Sequence, residues 1–163
     1  MARELATIGV FGFDAEGFVA ALREAGAVEL LDLRARRGVR GAQYAWANSR
    51  RLQNLLAAAG IGYRHLPALA PSAELRQAQH GEDERQRVGK RSRIALAPAF
   101  VERYTREVLD RADLDAVAAA LPAGGVAALL CVERDAAACH RSLVAAALAE
   151  RHGLRVRDLV PAG

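Results

Sequence analysis

A stretch of eleven residues near the end of the chain, Cys131 to Arg141, carries the side chains best suited to chemistry. Its sequence is Cys-Val-Glu-Arg-Asp-Ala-Ala-Ala-Cys-His-Arg. A thiol beside an imidazole can act as a nucleophile with a general base, and a guanidinium can hold a carboxylate or a phosphate. We therefore predict Cys131, Glu133 and His140 as catalytic residues. Cys139 and Arg141 are predicted to bind the substrate.

This stretch follows an apolar run that predicts a buried strand. Val126 to Cys131 is continuously apolar and has the length of a strand covered on both faces. Asp135 followed by Ala136 to Ala138 predicts a helix start with an acidic N-cap. Ligands of open α/β sheets bind beyond the carboxyl ends of strands, and the N-terminus of a helix favours anions. The sequence therefore predicts a binding site where the strand ends and the helix begins.

A second charged strand end lies earlier in the chain. Ala27 to Leu33 predicts a strand, and Asp32 and Arg34 stand at its carboxyl end. The carboxyl ends of parallel strands meet at one edge of a sheet. We therefore expect Asp32 and Arg34 to join the Cys131 to Arg141 stretch in one shallow pocket, as further substrate-binding residues. The alternative is an internal ion pair between them that braces the loops.

The side chains of the Cys131 to Arg141 stretch also have structural interpretations, which the sequence leaves open. Cys131 could be a buried cysteine that only packs, and His140 could be an inward residue bonded to a strand-end carbonyl. As a general base, His140 would instead be oriented by Asp32 or Glu133. For Arg141 we expect an ion pair with Glu133 or Asp32, because a planar guanidinium can satisfy both oxygens of a buried carboxylate.

A metal centre is a further interpretation of the same stretch. Cys131, Glu133, Cys139 and His140 have the ligand types that suit zinc. Adjacent Cys and His ligands are awkward for one tetrahedral ion, however, and the sequence has no second Cys-x-x-Cys motif or His pair. We therefore predict no metal site and assign no cofactor.

The apolar pattern along the chain predicts strands that alternate with helices. This alternation is typical of a parallel sheet with crossover helices. We predict a single three-layer α/β domain over residues 1–163, with a mostly parallel, Rossmann-like sheet of about five strands and helices on both faces. Residues 67–97 carry few apolar side chains after Leu75 and are predicted to form a mobile excursion. The predicted strands are Leu5 to Val10, Ala27 to Leu33, Tyr63 to Leu66, Val126 to Cys131 and Leu154 to Val160. The predicted helices begin near Asp14, Asn48 or Ser49, Pro98, Asp113 and Asp135.

Composition limits the classes of protein. The chain has 163 residues, 52% of them hydrophobic, which is enough for one domain with a proper core. Two cysteines in one motif are no disulfide framework, and the first residues lack the design of a signal peptide, so we expect a cytoplasmic protein. Pro122, Gly124 and Gly125 interrupt the longest uncharged run, so we expect no membrane span.

Basic residues suggest an anionic partner. The net charge is +4, and the segment Arg34 to Arg51 holds six Arg, no acidic residue, and the aromatic residues Tyr44 and Trp46. Guanidinium groups among stacking surfaces are what single-stranded nucleic acid or a nucleotide would use. The run Arg85 to Arg93 has the same character. A solvated loop in an Arg-rich chain is the simpler interpretation of both.

The motif Cys131-x-Glu133, followed after a spacer by Cys139-His140-Arg141, resembles the hallmark of a bacterial family catalogued as domain of unknown function 488. The likeness extends to Thr7-Ile8-Gly9, Leu31-Asp32-Leu33-Arg34 and Gly62-Tyr63-Arg64-His65-Leu66-Pro67. It implies a compact α/β fold in which the matched residues converge on one edge of the sheet. The order Leu31 to Arg34, His65 to Pro67 and Leu129 to Cys131 also resembles, more loosely, the architecture of rhodanese-type domains.

Three functions are consistent with these features. The first is a small enzyme acting on a nucleotide-like or other anionic metabolite at the Cys131 to Arg141 stretch. The second is a nucleic-acid-binding or regulatory module that uses Arg34 to Arg51. The third is a thiol or metal sensor based on Cys131 and Cys139. Salt distinguishes the first two, because only binding to nucleic acid weakens steeply as salt rises.

Overall fold

The computed structural model describes residues 3–89 and 93–162. Five strands form one parallel sheet in the order β3-β2-β4-β1-β5, which confirms the predicted α/β fold class. The strands are β1 (Glu4–Ile8), β2 (Ala27–Asp32), β3 (Gly62–His65), β4 (Val126–Leu130) and β5 (Arg155–Leu159). Strand β4 lies in the centre of the sheet, beside β2, so the two charged strand ends are neighbours.

Helices connect the strands. They are α1 (Ala15–Glu24), α2 (Ser49–Ala58), α3 (Ala73–Arg85), α4 (Pro98–Glu107), α5 (Leu114–Ala119) and α6 (His140–His152). Asp14 and Asp113 cap α1 and α5 through their carboxylates, as predicted. Asn48 precedes α2, but its side-chain oxygen accepts a hydrogen bond from the Val39 N–H instead of capping the helix. None of the described helices is long and apolar enough to cross a membrane.

The core lies in two layers, one on each face of the sheet. Side chains alternate along a strand, so Leu30 of β2 packs into one layer and Leu31 into the other. The first layer contains Phe18 of α1 and Leu52 of α2, and the second contains Leu148 of α6. Helices therefore cover both faces, as the three-layer prediction required.

Helix α6 begins later than the sequence predicts. Ala136–Ala138 form a single turn of 3-10 helix, and the Asp135 side chain makes no capping bond. Cys139 then adopts an extended conformation, with φ −138° and ψ 146°, and α6 begins at His140. The prediction of a helix start capped by Asp135 was wrong, because a tight turn and an extended residue separate Asp135 from the helix.

The segment 67–97 contains helix α3, which the sequence did not predict. The Ser72 hydroxyl caps this helix, and the buried Leu75 fixes its first turn. Its other buried side chains, Gln79 and Asp83, are polar, so hydrophobic periodicity could not indicate it. The mobility of this segment stays a prediction, and its residues 90–92 lie outside the described ranges.

Candidate functional site

The predicted site residues lie at the adjoining carboxyl ends of β2 and β4. Asp32 of β2 is in register with Leu130 of β4, so the residues that follow both strands meet. A pocket of about 750 Å³ opens over this edge. Four of the predicted residues line it, namely Arg34, Cys131, Glu133 and His140. The other three, Asp32, Cys139 and Arg141, are buried close to these four without lining the pocket.

Cys131, Cys139 and His140 form a compact buried cluster at the floor of the pocket. The Nδ1 atom of His140 lies 3.6 Å from the Cys131 Sγ and 3.8 Å from the Cys139 Sγ. Both cysteines are free thiols. Burial raises the pKa of Cys139 well above its ordinary value, and Cys131 and Glu133 add to the shift, although His140 opposes it.

His140 is oriented by a backbone carbonyl. Its Nε2 atom lies 3.1 Å from the Leu33 oxygen, which can only accept, so Nε2 carries the proton and Nδ1 faces the two thiols. The expected carboxylate partner, Asp32 or Glu133, is not bonded to this ring. Burial alone would lower the pKa of His140, but Cys139, Glu133 and the Leu33 carbonyl outweigh it and raise the pKa.

Arg34 and Asp32 form a buried ion pair, as the structural interpretation expected. The Arg34 Nε and Nη2 atoms each donate to the Asp32 carboxylate at 2.9 Å, and Nη1 donates to the Ala47 carbonyl. The Tyr63 hydroxyl donates to the same carboxylate at 2.6 Å. Sequence reasoning did not assign a role to Tyr63, which lies in β3 in register with Leu30 of β2. Arg34 thus braces the segment that follows β2.

Arg141 has no carboxylate partner among the described residues, so the predicted ion pair with Glu133 or Asp32 is wrong. Its guanidinium donates instead to the backbone carbonyls of Glu133, at 2.6 Å, and Arg134, at 3.1 Å. The loop after β4 passes so close to β1 that a Cβ atom on Gly9 would lie 1.8 Å from the Glu133 oxygen. The backbone of the loop, and not the Glu133 side chain, therefore faces Arg141.

The Glu133 carboxylate pairs with Arg93, a residue that the sequence placed only within a charged run. Arg93 Nη2 lies 2.8 Å from Glu133 Oε1 and also donates to the Ala138 carbonyl, while Nη1 lies 2.7 Å from Asp83 Oδ2. Gln79 donates to the other Asp83 oxygen. Arg93 therefore ties α3, which walls the pocket, to the loop at its floor.

We expect Arg93→Ala to loosen α3. The change removes the cation from Asp83 and one ion-pair partner from Glu133, although the bond from Gln79 to Asp83 remains, so the free energy of unfolding should fall by about 1–3 kcal/mol. Hydrogen exchange should rise in α3 before it rises in the sheet. Arg85→Ala is the matched control, because Arg85 forms an exposed pair with Glu82 on the same helix and should cost less than about 1 kcal/mol. Equal losses of stability for both variants would contradict the conclusion that Arg93 holds α3 against the loop after β4.

The aromatic residues of the Arg34 to Arg51 segment face the core. The Trp46 ring lies 4.9 Å from the Phe18 ring, and the Tyr44 ring lies 5.3 Å from the Phe11 ring. The Tyr44 hydroxyl also accepts a hydrogen bond from the Gly12 N–H. Both rings are partly buried and pack against the core, so neither presents a fully open face to solvent.

Comparisons with curated proteins and with solved structures found no match. A family model does match, over residues 14–148, and its description is Domain of unknown function DUF488. The matched range includes the Asp32–Arg34 pair and the whole Cys131 to Arg141 stretch. Because the match spans well over half of the chain, this protein belongs to the DUF488 family.

Proposed function

We propose that this protein is a small enzyme that binds an anionic metabolite of nucleotide size in the pocket above Cys131 and His140. The observation that carries the proposal is the pocket itself, with a thiol and an imidazole at its floor and a wall rich in Arg. A volume of about 750 Å³ is within the usual range of small-molecule sites. Cys131, Glu133 and His140 are the residues we place nearest to the reacting atoms.

The arginines of the pocket wall differ in their availability. Arg34 and Arg93 are buried and engaged with carboxylates. Arg36 and Arg76 have no carboxylate partner within residues 3–89 and 93–162, and the buried Nε of Arg76 has no hydrogen-bond partner there. A guanidinium with open donors is suited to a phosphate or a carboxylate. We therefore assign anion binding to Arg36 and Arg76.

The remaining predicted residues support the pocket from behind. Asp32 and Arg34 fix the segment after β2, and Arg141 fixes the loop after β4. Cys139 lies against His140 from the buried side. In this assignment these four residues position the floor of the pocket, and the anion does not need Arg34 or Arg141 as a direct clamp.

Calorimetric titration with a nucleoside monophosphate, inorganic phosphate and a dicarboxylate tests the proposal. We expect at least one of these anions to bind the wild-type protein, with a modest loss of affinity between about 50 and 200 mM salt. Removing a charged hydrogen-bond donor costs about 1.5–3 kcal/mol, so Arg36→Ala and Arg76→Ala should each weaken binding about tenfold or more.

Arg151→Ala is the control, because Arg151 carries the same charge at the opposite end of α6 and pairs there with exposed Asp115. Its affinity for the anions should equal that of the wild type. The proposal fails if folded wild-type protein binds none of the three anions, or if the Arg36 and Arg76 variants bind as well as the control. Steeply salt-dependent binding of an oligonucleotide alone would favour the nucleic-acid module instead.

A further inference from the structure

We propose that Cys131, Cys139 and His140 are the protein ligands of a zinc ion or another thiophilic divalent cation. The site is argued from its own geometry. The role of the ion toward a substrate rests on the function proposed above, because the ion would lie at the floor of the same pocket. The sequence alone favoured no metal site, and the three-dimensional arrangement removes one reason for that expectation, the adjacency of Cys139 and His140.

The separations of the donor atoms match tetrahedral coordination. Zinc–sulfur bonds of about 2.3 Å and zinc–nitrogen bonds of about 2.0–2.1 Å, at tetrahedral angles, place a sulfur and a nitrogen ligand about 3.6 Å apart. The His140 Nδ1 atom lies 3.6 Å and 3.8 Å from the two sulfur atoms, and all three donors lie within 4.8 Å of one another. One ion can therefore contact all three without a large rearrangement.

The orientation of His140 is the one that a metal ligand needs. Metal-binding imidazoles usually donate their second N–H to a carboxylate or a backbone carbonyl, which fixes the ring and its tautomer. Here Nε2 lies 3.1 Å from the Leu33 carbonyl, so the lone pair of Nδ1 is directed to the two sulfur atoms. The Tyr104 ring, 5.5 Å away, packs against the imidazole and holds it further.

The extended conformation of Cys139, just before α6, allows the adjacent residues Cys139 and His140 to bind the same ion. In a continuous helix, residues 139 and 140 would diverge by about 100° around the axis. Cys139 is instead extended, and His140 is the first residue of the helix, so the two side chains converge on one point. Cys131 reaches this point from the end of β4.

Burial and charge also favour a cation at this cluster. All three residues are at most 6% exposed, and two thiolates would balance the charge of a divalent ion in this setting. Cys131 and His140 line the pocket, whereas Cys139 does not. The fourth position of the ion would therefore face the pocket, and three protein ligands with one open position are typical of catalytic zinc. Such a position can take a water molecule or a substrate oxygen.

Titration of the reduced, chelator-treated wild-type protein with Co²⁺ tests the site. We expect one equivalent to bind and to give thiolate-to-cobalt charge-transfer absorption, which an equivalent of Zn²⁺ then removes. Loss of a residue that only hydrogen-bonds to a metal ligand already lowers metal affinity roughly 10- to 100-fold. Loss of a ligand itself should cost more, so Cys131→Ser, Cys139→Ser and His140→Ala should each lower the affinity for Co²⁺ more than about 100-fold. His80→Ala is the control, because His80 lines the pocket outside the cluster and should bind Co²⁺ like the wild type.

Circular dichroism establishes which variants fold, and the wild-type titration decides the question without them. Folded, reduced wild-type protein that gives no charge-transfer absorption overturns the metal site. So does undiminished Co²⁺ binding by a folded Cys139→Ser or His140→Ala variant. The anion titration is separate: a stoichiometric metal with no anion binding would overturn the proposed function and leave the site intact. Anion binding without any metal would overturn the site alone.

Discussion

Arg34→Ala should lower the free energy of unfolding by about 3–5 kcal/mol, because it leaves a fully buried carboxylate without its cation. Asp32 is 0% exposed and Arg34 is 2% exposed. The guanidinium donates twice to Asp32 and once to the Ala47 carbonyl, and the donors that remain, the Tyr63 hydroxyl and the backbone N–H of residue 34, carry no charge to balance the carboxylate. Urea denaturation followed by circular dichroism measures the loss.

Arg64→Ala is the matched control for this change. Arg64 pairs with Glu29 between the same two strands, β2 and β3, but its side chain is 38% exposed. An ion pair that water can reach stabilises a protein by about 0–1 kcal/mol. If Arg34→Ala costs no more than Arg64→Ala, the pair does not brace the segment after β2, and Arg34 becomes a candidate for direct contact with a ligand.

Arg141→Ala should cost a similar amount, for a different reason. It removes two charge-assisted hydrogen bonds to backbone carbonyls, each contributing about 1.5–3 kcal/mol, so the free energy of unfolding should fall by about 3–6 kcal/mol. The variant also leaves a cavity in place of a fully buried side chain. Because the loop after β4 loses its support, anion binding should weaken together with stability.

Arg134→Ala tests whether charge in this loop matters in itself. Arg134 is half-exposed and pairs with the neighbouring Asp135, so its removal should change stability by less than about 1 kcal/mol. Arg141→Lys keeps the charge but cannot reach both carbonyls with one planar group, and it should recover only part of the loss. An Arg141→Ala protein that melts like the wild type yet binds no anion would make Arg141 a ligand clamp and reject its structural role.

The strands and the meeting of the two charged strand ends could be predicted from the sequence, because both depend on short-range signals. Continuous apolar runs such as Val126 to Leu130 indicate buried parallel strands. Carboxylates at Asp14 and Asp113 indicate helix starts. Once the sheet is known to be parallel, the ends of β2 and β4 must lie at the same edge.

The partners of the arginines could not be predicted in the same way. A carboxylate near in sequence is visible as a candidate, but a backbone carbonyl carries no signal, so Arg141 was assigned to Glu133 or Asp32 instead of to the main chain. Arg93 bonds to Glu133 across forty positions of the chain, a pairing that depends on where α3 lies. Helix α3 itself is held largely by polar contacts, and hydrophobic periodicity cannot detect those.

The close approach of Gly9 to the Glu133 carbonyl means that part of this site depends on the lack of a side chain at position 9. A methyl group at position 9 would overlap the Glu133 oxygen and approach the Arg141 Nη1 atom to 3.2 Å, so the loop after β4 could not keep its path. The side chains at the pocket floor can therefore keep their positions only if the residue directly after β1 has no side chain of its own. Any engineering of this pocket therefore has to leave that glycine unchanged.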